Sequence, residues 1–483
     1  MAAVRGIPWP FRSAPAPEWL VIAILALAGM SASFMQTIVV PIQAQLPELL
    51  DASREDTAWV ITVTLLSAAV STPIAGRLGD MYGKRRVALG LLTLLVVGSV
   101  VAALSHELIG LLVGRALQGA VFGIIPLGIA IMRDVLHPNR LGGAVALMSA
   151  TLGVGAALGL PISAIVSDVT DWHVLFWIAA ALGALNFVLF LWIVPMSTLR
   201  TAGHFDFLGA IGLAIGLTGV LLAISRGDVW GWASVPTIAC GVGGLLVLLY
   251  WGWRQLRTPD ALVDLRVAAR PAVLLTNLAS VALGFALFCS QVSYPQLLGL
   301  PAATGAGLGL PLLATSIVLM PAGLVMMFMS PISARLQRRF GARPLLISGS
   351  LAILAAYMLS LFLRSEWWHI MLANVMIGIG IGLAYAAMPL LIMRAVPANE
   401  TAAANGINSL MRSFGTSVAA ALVGAILSAW STTSGGVSFP TDQAFQITFL
   451  LGGIAALAAA SIAFFIPTKP VAERHPALPE GSY

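Results

Sequence analysis

The chain has 483 residues, of which 59% are hydrophobic and only 9% charged, with a mean hydropathy of +0.96. Soluble domains carry about 25% charged residues, so this composition excludes a water-soluble globular protein and implies a polytopic membrane protein. A formal net charge of +6 does not point to nucleic acid, because the cations are spread among short links between apolar runs.

Apolar stretches of about 20 residues, the length that crosses a bilayer, recur about fourteen times. They lie near residues 18–41, 57–75, 87–104, 108–132, 142–167, 174–195, 207–225, 233–253, 272–296, 308–333, 344–363, 367–393, 401–429 and 444–466. The expected fold is therefore an all-α integral membrane protein. With the N-terminus inside, all 25 Lys and Arg fall in cytoplasmic links except Arg54, Arg226 and Arg364 outside, and Arg115 and Arg412 within spans. The opposite orientation inverts that ratio, which places both termini in the cytoplasm and the chain in the plasma (inner) membrane. Trp230, Trp232, Trp367 and Trp368 fit an interfacial belt on the outer side. Cys240 and Cys289 fall inside spans, predicting two free buried thiols.

Arg5 and Arg12 ahead of Trp19 to Met30 imitate a signal peptide. The apolar pattern runs on to Pro41, however, and the charge count needs this span, so a retained first helix is expected. It carries Met35 and Gln36 and leads into an acidic outer loop with Glu48, Asp51, Glu55 and Asp56.

Next comes the most informative stretch, Gly76 to Arg86. It holds Arg77, Lys84, Arg85 and Arg86, the single carboxylate Asp80, and glycines 76, 79 and 83, between charge-free flanks. A polar interruption this short is expected to lie in water and to join antiparallel helices. Its glycines permit close approach and positive φ. Asp80 can pair with Arg85 or Arg86, or face the positive N-terminal end of another helix. The plain reading is a basic loop that sets topology. The full order G-R-L-G-D-x-x-G-K-R-R, departing mainly at Met81, resembles the signature loop between helices two and three of the major facilitator superfamily of transporters. That resemblance implies a gate latch built from Gly76, Asp80, Gly83, Lys84, Arg85 and Arg86.

In the fourth span, Arg115 lies about 10 Å below the outer edge, where an ionised side chain is costly and usually functional. It either snorkels outward, pairs with a loop carboxylate such as Asp56, or serves function. The R-x-x-Q-G spacing through Gln118 and Gly119 resembles the superfamily's helix-four motif, which implies proton transfer or charge relay. In the fifth span Gly155 and Gly159 make a small-xxx-small packing face. With Pro161 they partly resemble the antiporter motif of exporters. The lead-in Phe205 to Ala210 resembles the start of the extra helix pair in fourteen-helix members.

The first half then returns. Pro73-Ile74-x-x-Arg77-Leu78…Gly83-x-Arg85 recurs 258 residues on as Pro331-Ile332-x-x-Arg335-Leu336…Gly341-x-Arg343. Ile131-Met132-Arg133 recurs 261 on as Ile392-Met393-Arg394, and Gly119 falls on Gly380 at that shift. Coincidences at nearly one spacing argue for duplication, the layout of parallel transporter halves with a site between them. The expected division is a segment 1–17, a six-helix half 18–200, an inserted helix pair 201–257, a second half 258–467 and a tail 468–483. Arg338 replaces Asp80 in the copy, which predicts asymmetric gating.

In the thirteenth span Arg412 lies about 16 Å from the cytoplasmic end. It is either a structural arginine bonded to carbonyls or a functional one. The N-x-x-x-R-x-x-G pattern from Asn408 resembles the corresponding helix of fourteen-helix exporters. Gln36, Asn277, Gln291, Tyr385, Asn405, Asn408 and Arg412 are the substrate-cavity candidates.

No P-loop and no Cys/His metal spacing is present, so an enzyme and an ATP-driven pump are not expected, and no cofactor is implied. The resemblance to fourteen-helix drug/proton antiporters implies export of hydrophobic drugs or natural products in exchange for protons. That branch usually has an aspartate where Met35 stands, and none of the nineteen Asp and Glu lies near the middle of a span. Coupling would fall to Asp80, to Asp56 or to a water chain ending at Arg115, or the protein is not proton-driven. The positive midplane suggests neutral or anionic cargo. A metabolite importer or uniporter, or a non-transporting membrane sensor, are the alternatives. The expected partners are a small hydrophobic substrate and the bilayer, without nucleic acid, and a monomer is compatible with this reading.

Overall fold

The computed structural model describes residues 17–43, 45–196, 199, 201, 203–302, 307–434 and 437–467; the expected cytoplasmic N-terminal segment, apart from Pro17, and the tail lie outside them. Fourteen helices are long and apolar enough to span a membrane. They are α1 (Glu18–Thr37), α2 (Trp59–Tyr82), α3 (Lys84–Leu104), α4 (Leu108–Val135), α5 (Pro138–Val169), α6 (His173–Ile193) and α7 (Phe207–Trp230). The others are α8 (Val235–Gln255), α9 (Pro271–Gly299), α10 (Leu312–Phe340), α11 (Ala342–Phe362), α12 (Trp367–Met393), α13 (Thr401–Ala429) and α14 (Asp442–Phe464). A spanning chain must satisfy its backbone within each segment, which helices do. A two-stranded hairpin, β1 (Ser431–Ser434) and β2 (Val437–Pro440), joins α13 to α14. Cys240 and Cys289 lie in spans and are free, Cys289 buried and Cys240 half-buried.

Packing reproduces the duplication. In the first six helices α1 packs on α5 and α6, α3 on α4 and α6, and α2 on α4. In the last six the same pairs recur: α9 on α13 and α14, α11 on α12 and α14, and α10 on α12. The halves meet along two seams, α2 against α13 and α5 against α10. Helix α7 of the inserted pair covers the first seam by packing on both α2 and α13, its Leu213, Leu217 and Leu221 clustering with Ala69 and Leu410. The link after α8 is docked there too, because Leu262 and Val263 are buried in the same cluster.

Two expectations need correction. The stretch 76–86 is not a loop in water: it is the last turns of α2, then Gly83, then the first turn of α3, with Asp80 and Lys84 fully buried and Arg77 nearly so. Charge at a helix end breaks the hydropathy pattern without breaking the helix. Second, Gly119 and Gly380 are not equivalent in packing, since Gly119 lies against α2 and Gly380 against Gly349 of α11.

The joints themselves are equivalent. Gly83 (φ 106°) and Gly341 (φ 87°) each turn one helix directly into the next, a conformation that glycine alone adopts cheaply. Arg85 and Arg343, two residues on in each copy, donate to the carbonyls of Leu191 and Phe464 at the C-terminal ends of α6 and α14, where the helix dipole favours a cation. Most Lys and Arg gather at this basic face. On the opposite face two exceptions are held locally: Arg364 makes a two-pronged pair with Asp442 at 2.6 and 2.5 Å, and Arg226 lies 4.3 Å over the Trp59 ring.

A Cβ on Gly341 would meet nothing within 4 Å, so only backbone strain opposes a side chain there. Gly341→Ala is expected to lower stability by about 1–3 kcal/mol, read as a lower unfolding midpoint in detergent. Gly90→Ala, at an equally open helical site, should leave the midpoint unchanged or raise it.

Candidate functional site

At the basic face, α2 ends against the first turn of α13. Gly76 makes that approach possible, because a Cβ there would stand 2.6 Å from the Ala402 carbonyl oxygen. Gly406 does the same from α13, where a Cβ would lie 3.1 Å from the Thr72 oxygen. With the backbones this close, Asp80 reaches the open amides at the start of α13. Ala403 N donates to Oδ2 at 2.8 Å and Ala402 N to Oδ1 at 3.4 Å. Of the partners weighed for Asp80, the structure selects the helix N-terminus, where amides and dipole both favour an anion.

Lys84 completes the arrangement, 2.5 Å from Asp134 Oδ2 and 3.9 Å from Asp80 Oδ1. Neighbouring Arg133 crosses to the other half, donating to Thr401 Oγ1 at 2.5 Å and to the Val396 and Pro397 carbonyls at 3.3 and 3.4 Å. Thr201 N donates to the Asp80 carbonyl at 2.8 Å, and Thr201 Oγ1 donates to the Asn399 carbonyl at 2.8 Å. Arg85 is committed to α6 and Arg86 is exposed, so the signature stretch divides between a seam and a helix cap. Sequence reasoning missed Asp134 and Arg133 as site residues. A signal was present: at the repeat shifts Asp80, Lys84 and Asp134 become Arg338, Ala342 and Ala395, so the three charges are lost together.

Among the described residues the second seam carries no such charge cluster. Helix α5 is thin on both sides. Gly155 and Gly159 let α1 approach, a Cβ meeting the Met30 oxygen at 2.4 Å and Thr37 Oγ1 at 2.1 Å. Toward α10, a Cβ on Gly153 would meet Met326 Sδ at 2.1 Å, and one on Gly323 would meet Ala157 Cβ at 2.3 Å. Pro161 sits inside α5, which continues to Val169.

Arg115 is buried to 1% exposure, and its pairing with Asp56 does not form: Asp56 accepts from Ser53 Oγ instead. The guanidinium donates to the Met35 carbonyl at 2.8 Å, to Gln118 Oε1 at 2.9 Å and to the Val60 carbonyl at 3.4 Å. Gln118 passes the chain on to Ser99 Oγ at 2.9 Å. These bonds tie α1, α2, α3 and α4 together through groups that do not exchange protons near neutral pH.

Near the middle of the bundle, the cavity candidates separate. Asn408 donates to Asn277 Oδ1 at 3.0 Å and to Ser280 Oγ at 2.6 Å, joining α13 to α9. Beside them the Arg412 guanidinium lies 5.0 Å from the Tyr385 ring centroid of α12. Arg412 is half-buried, and its hydrogen bond among the described residues is a long one, 3.3 Å to Ser409 Oγ on its own helix. Tyr385 is 3% exposed; its hydroxyl has no hydrogen-bond partner among the described residues, while its carbonyl accepts from Ser149 Oγ of α5 at 2.9 Å. Asn405 turns back to the Thr401 carbonyl of its own helix, and its Oδ1 is buried without a partner. Gln36 is half-buried on α1 and Gln291 is exposed on α9.

Comparison with known proteins agrees with this architecture. The sequence model of the Major Facilitator Superfamily matches residues 25–206, 203–420 and 330–482. The chain is 26% identical over 419 residues to the uncharacterized MFS-type transporter Rv1877 of Mycobacterium tuberculosis, covering 85% of this chain but 60% of that relative's length. It is 25% identical over 435 residues to the lincomycin resistance protein LmrB of Listeria monocytogenes, covering 89% and 91%. Among solved structures, the proton:xylose symporter XylE superposes with a TM-score of 0.65 at 13% identity, covering 93% of this chain and 96% of that one. The chain thus belongs to the Major Facilitator Superfamily, with fourteen helices long enough to span a membrane among its described residues.

Proposed function

We propose that this transporter exports hydrophobic drugs or natural products that are neutral or anionic, by alternating access in exchange for protons, from a plasma membrane in which both termini are cytoplasmic. The observation that carries the cargo charge is Arg412. It faces Tyr385 of α12, which packs on α5, and among the described residues it has no ion pair with a carboxylate, so a cation would find repulsion and an anion or a hydrogen-bond acceptor would find a donor. The resistance name of the Listeria relative supports export of a drug-like compound.

In this reading the basic face is the cytoplasmic gate, and the Asp80 junction holds it closed. Protonation of Asp80 would remove the charge that the α13 amides hold, which links proton entry to gate opening. Arg115, bonded to oxygens that do not titrate, would serve as a tie within the first half. The position where drug/proton antiporters usually carry an aspartate, Met35, contributes only its backbone carbonyl, to Arg115. That feature favours a uniporter as the second reading.

Two outcomes test the proposal. Asp80→Asn should insert normally but weaken the closed junction by about 1–3 kcal/mol, seen by pulsed EPR as longer distances between spin labels across the basic face; an unchanged distribution would remove the latch role. In energised inverted vesicles with a pH dye inside, neutral or anionic hydrophobic compounds should release protons, and Arg412→Ala should abolish the response to anionic ones. Substrate flux without proton release would establish the uniporter, and export of a dication that survives Arg412→Ala would overturn the cargo assignment.

A further inference from the structure

The second copy of the signature stretch does not serve a seam. At the repeat shift Asp80 and Met81 become Arg338 and Arg339, and whereas Asp80 is buried between the halves, both arginines are exposed. Beside Arg339, on the outer surface where α10, α11 and α14 meet the basic face, a groove of about 400 Å3 opens between Phe340, Arg343, Ile347, Ser348, Leu351 and Phe464. It continues along α11 and α14 as a second cleft of about 400 Å3 past Leu351, Leu457, Ala460 and Phe465. Leu351 and Phe464 line both, so the two form one trough running from the basic face into the hydrocarbon zone.

The head of the trough is cationic. The Arg343 guanidinium lies 5.1 Å from the Phe464 ring, and that of Arg339 lies 5.1 Å from the Phe340 ring. Among the described residues no carboxylate is within ion-pair distance of Arg338, Arg339 or Arg343. The aromatic faces fix two guanidinium groups without neutralising them. Two uncompensated cations, Arg339 and Arg343, beside an apolar channel match the polarity profile of a phospholipid with a net negative headgroup. A choline or ethanolamine headgroup would find no acid here for its ammonium. A soluble phosphate would make no use of the apolar trough.

We propose that this trough binds one anionic glycerophospholipid, its phosphate at Arg339 and Arg343 and one acyl chain laid between α11 and α14. The bound lipid would offset charge that the duplicated stretch gained when it lost its acid. It would also fix the ends of two helices of the second half to the bilayer surface, leaving the ionic seam of Asp80 on a separate face.

Native mass spectrometry of the purified full chain, with phosphatidylglycerol or phosphatidylcholine added in turn, tests this. The wild type should retain one phosphatidylglycerol in preference to phosphatidylcholine. The variant Arg339→Gln should lose about fivefold in that retention, from removal of one interfacial charge. Ser348→Trp, which fills the trough and leaves every charge in place, should lose it as well. The melting temperature reports folding of both variants. Equal retention of the two lipids by the wild type, or undiminished phosphatidylglycerol in either folded variant, would overturn the proposal. Loss in the arginine variant alone would mark a diffuse surface attraction instead of a built site.

Discussion

Hydrocarbon offers an unpaired backbone amide no partner, and this constraint governs the rest of the structure. Each segment that enters the bilayer closes its backbone hydrogen bonds within its own helix. Helix groups that keep their internal packing are the natural units of the bundle. The contacts inside each six-helix half are matched by the same contacts in the other, whereas the halves touch along two seams. Groups from the two halves therefore meet at those seams, and the few amides left open at helix ends are the strongest groups available there.

The start of α13 is such an end. Asp80 arrives from the other half to take two of its amides, and the glycines at 76 and 406 bring the backbones close enough for this to happen. A buried carboxylate is tolerable only with hydrogen bonds and a counter-charge, which Lys84 supplies while it also binds Asp134. The duplicated seam has none of these groups and closes through Gly153, Ala157 and Gly323 instead. One seam is thus held by groups whose strength depends on charge, the other by shape. A proton or an ion can act on the first and has no comparable handle on the second.

Spans, duplication and the inserted pair were legible because they depend on length, hydropathy and spacing, which a sequence carries openly. The twelfth and thirteenth spans fall at 367–393 and 401–429 in both sequence and structure. The position of the signature stretch was not legible, because a hydropathy scan reads Arg77, Asp80 and Lys84 as water-seeking and cannot see that a second half covers them. Asp134 escaped for a related reason: its partner Lys84 is 50 residues away, and only the folded contact of α3 with α4 joins them. The oxygens that hold Arg115 come largely from backbone carbonyls, at Met35 and Val60, and a carbonyl has no signature in sequence.

The two membrane-buried arginines show what that missing information decides. An arginine at the centre of a span costs about 2.5–3.5 kcal/mol on insertion scales. Arg115 recovers this through three oxygens within 3.4 Å, each charged hydrogen bond contributing about 1.5–3 kcal/mol, and it is sealed. Its position is explained by the structure it holds together. Arg412 has one 3.3 Å bond and an aromatic ring at 5.0 Å, and a cation–π contact returns about 0.5–2 kcal/mol. That balance does not close within the protein. A guanidinium carries five N–H donors, and most of those on Arg412 have no protein acceptor among the described residues, beside a Tyr385 hydroxyl that also lacks one. Donors left open beside an aromatic ring, at the meeting point of both halves, are what a bound acceptor would complete.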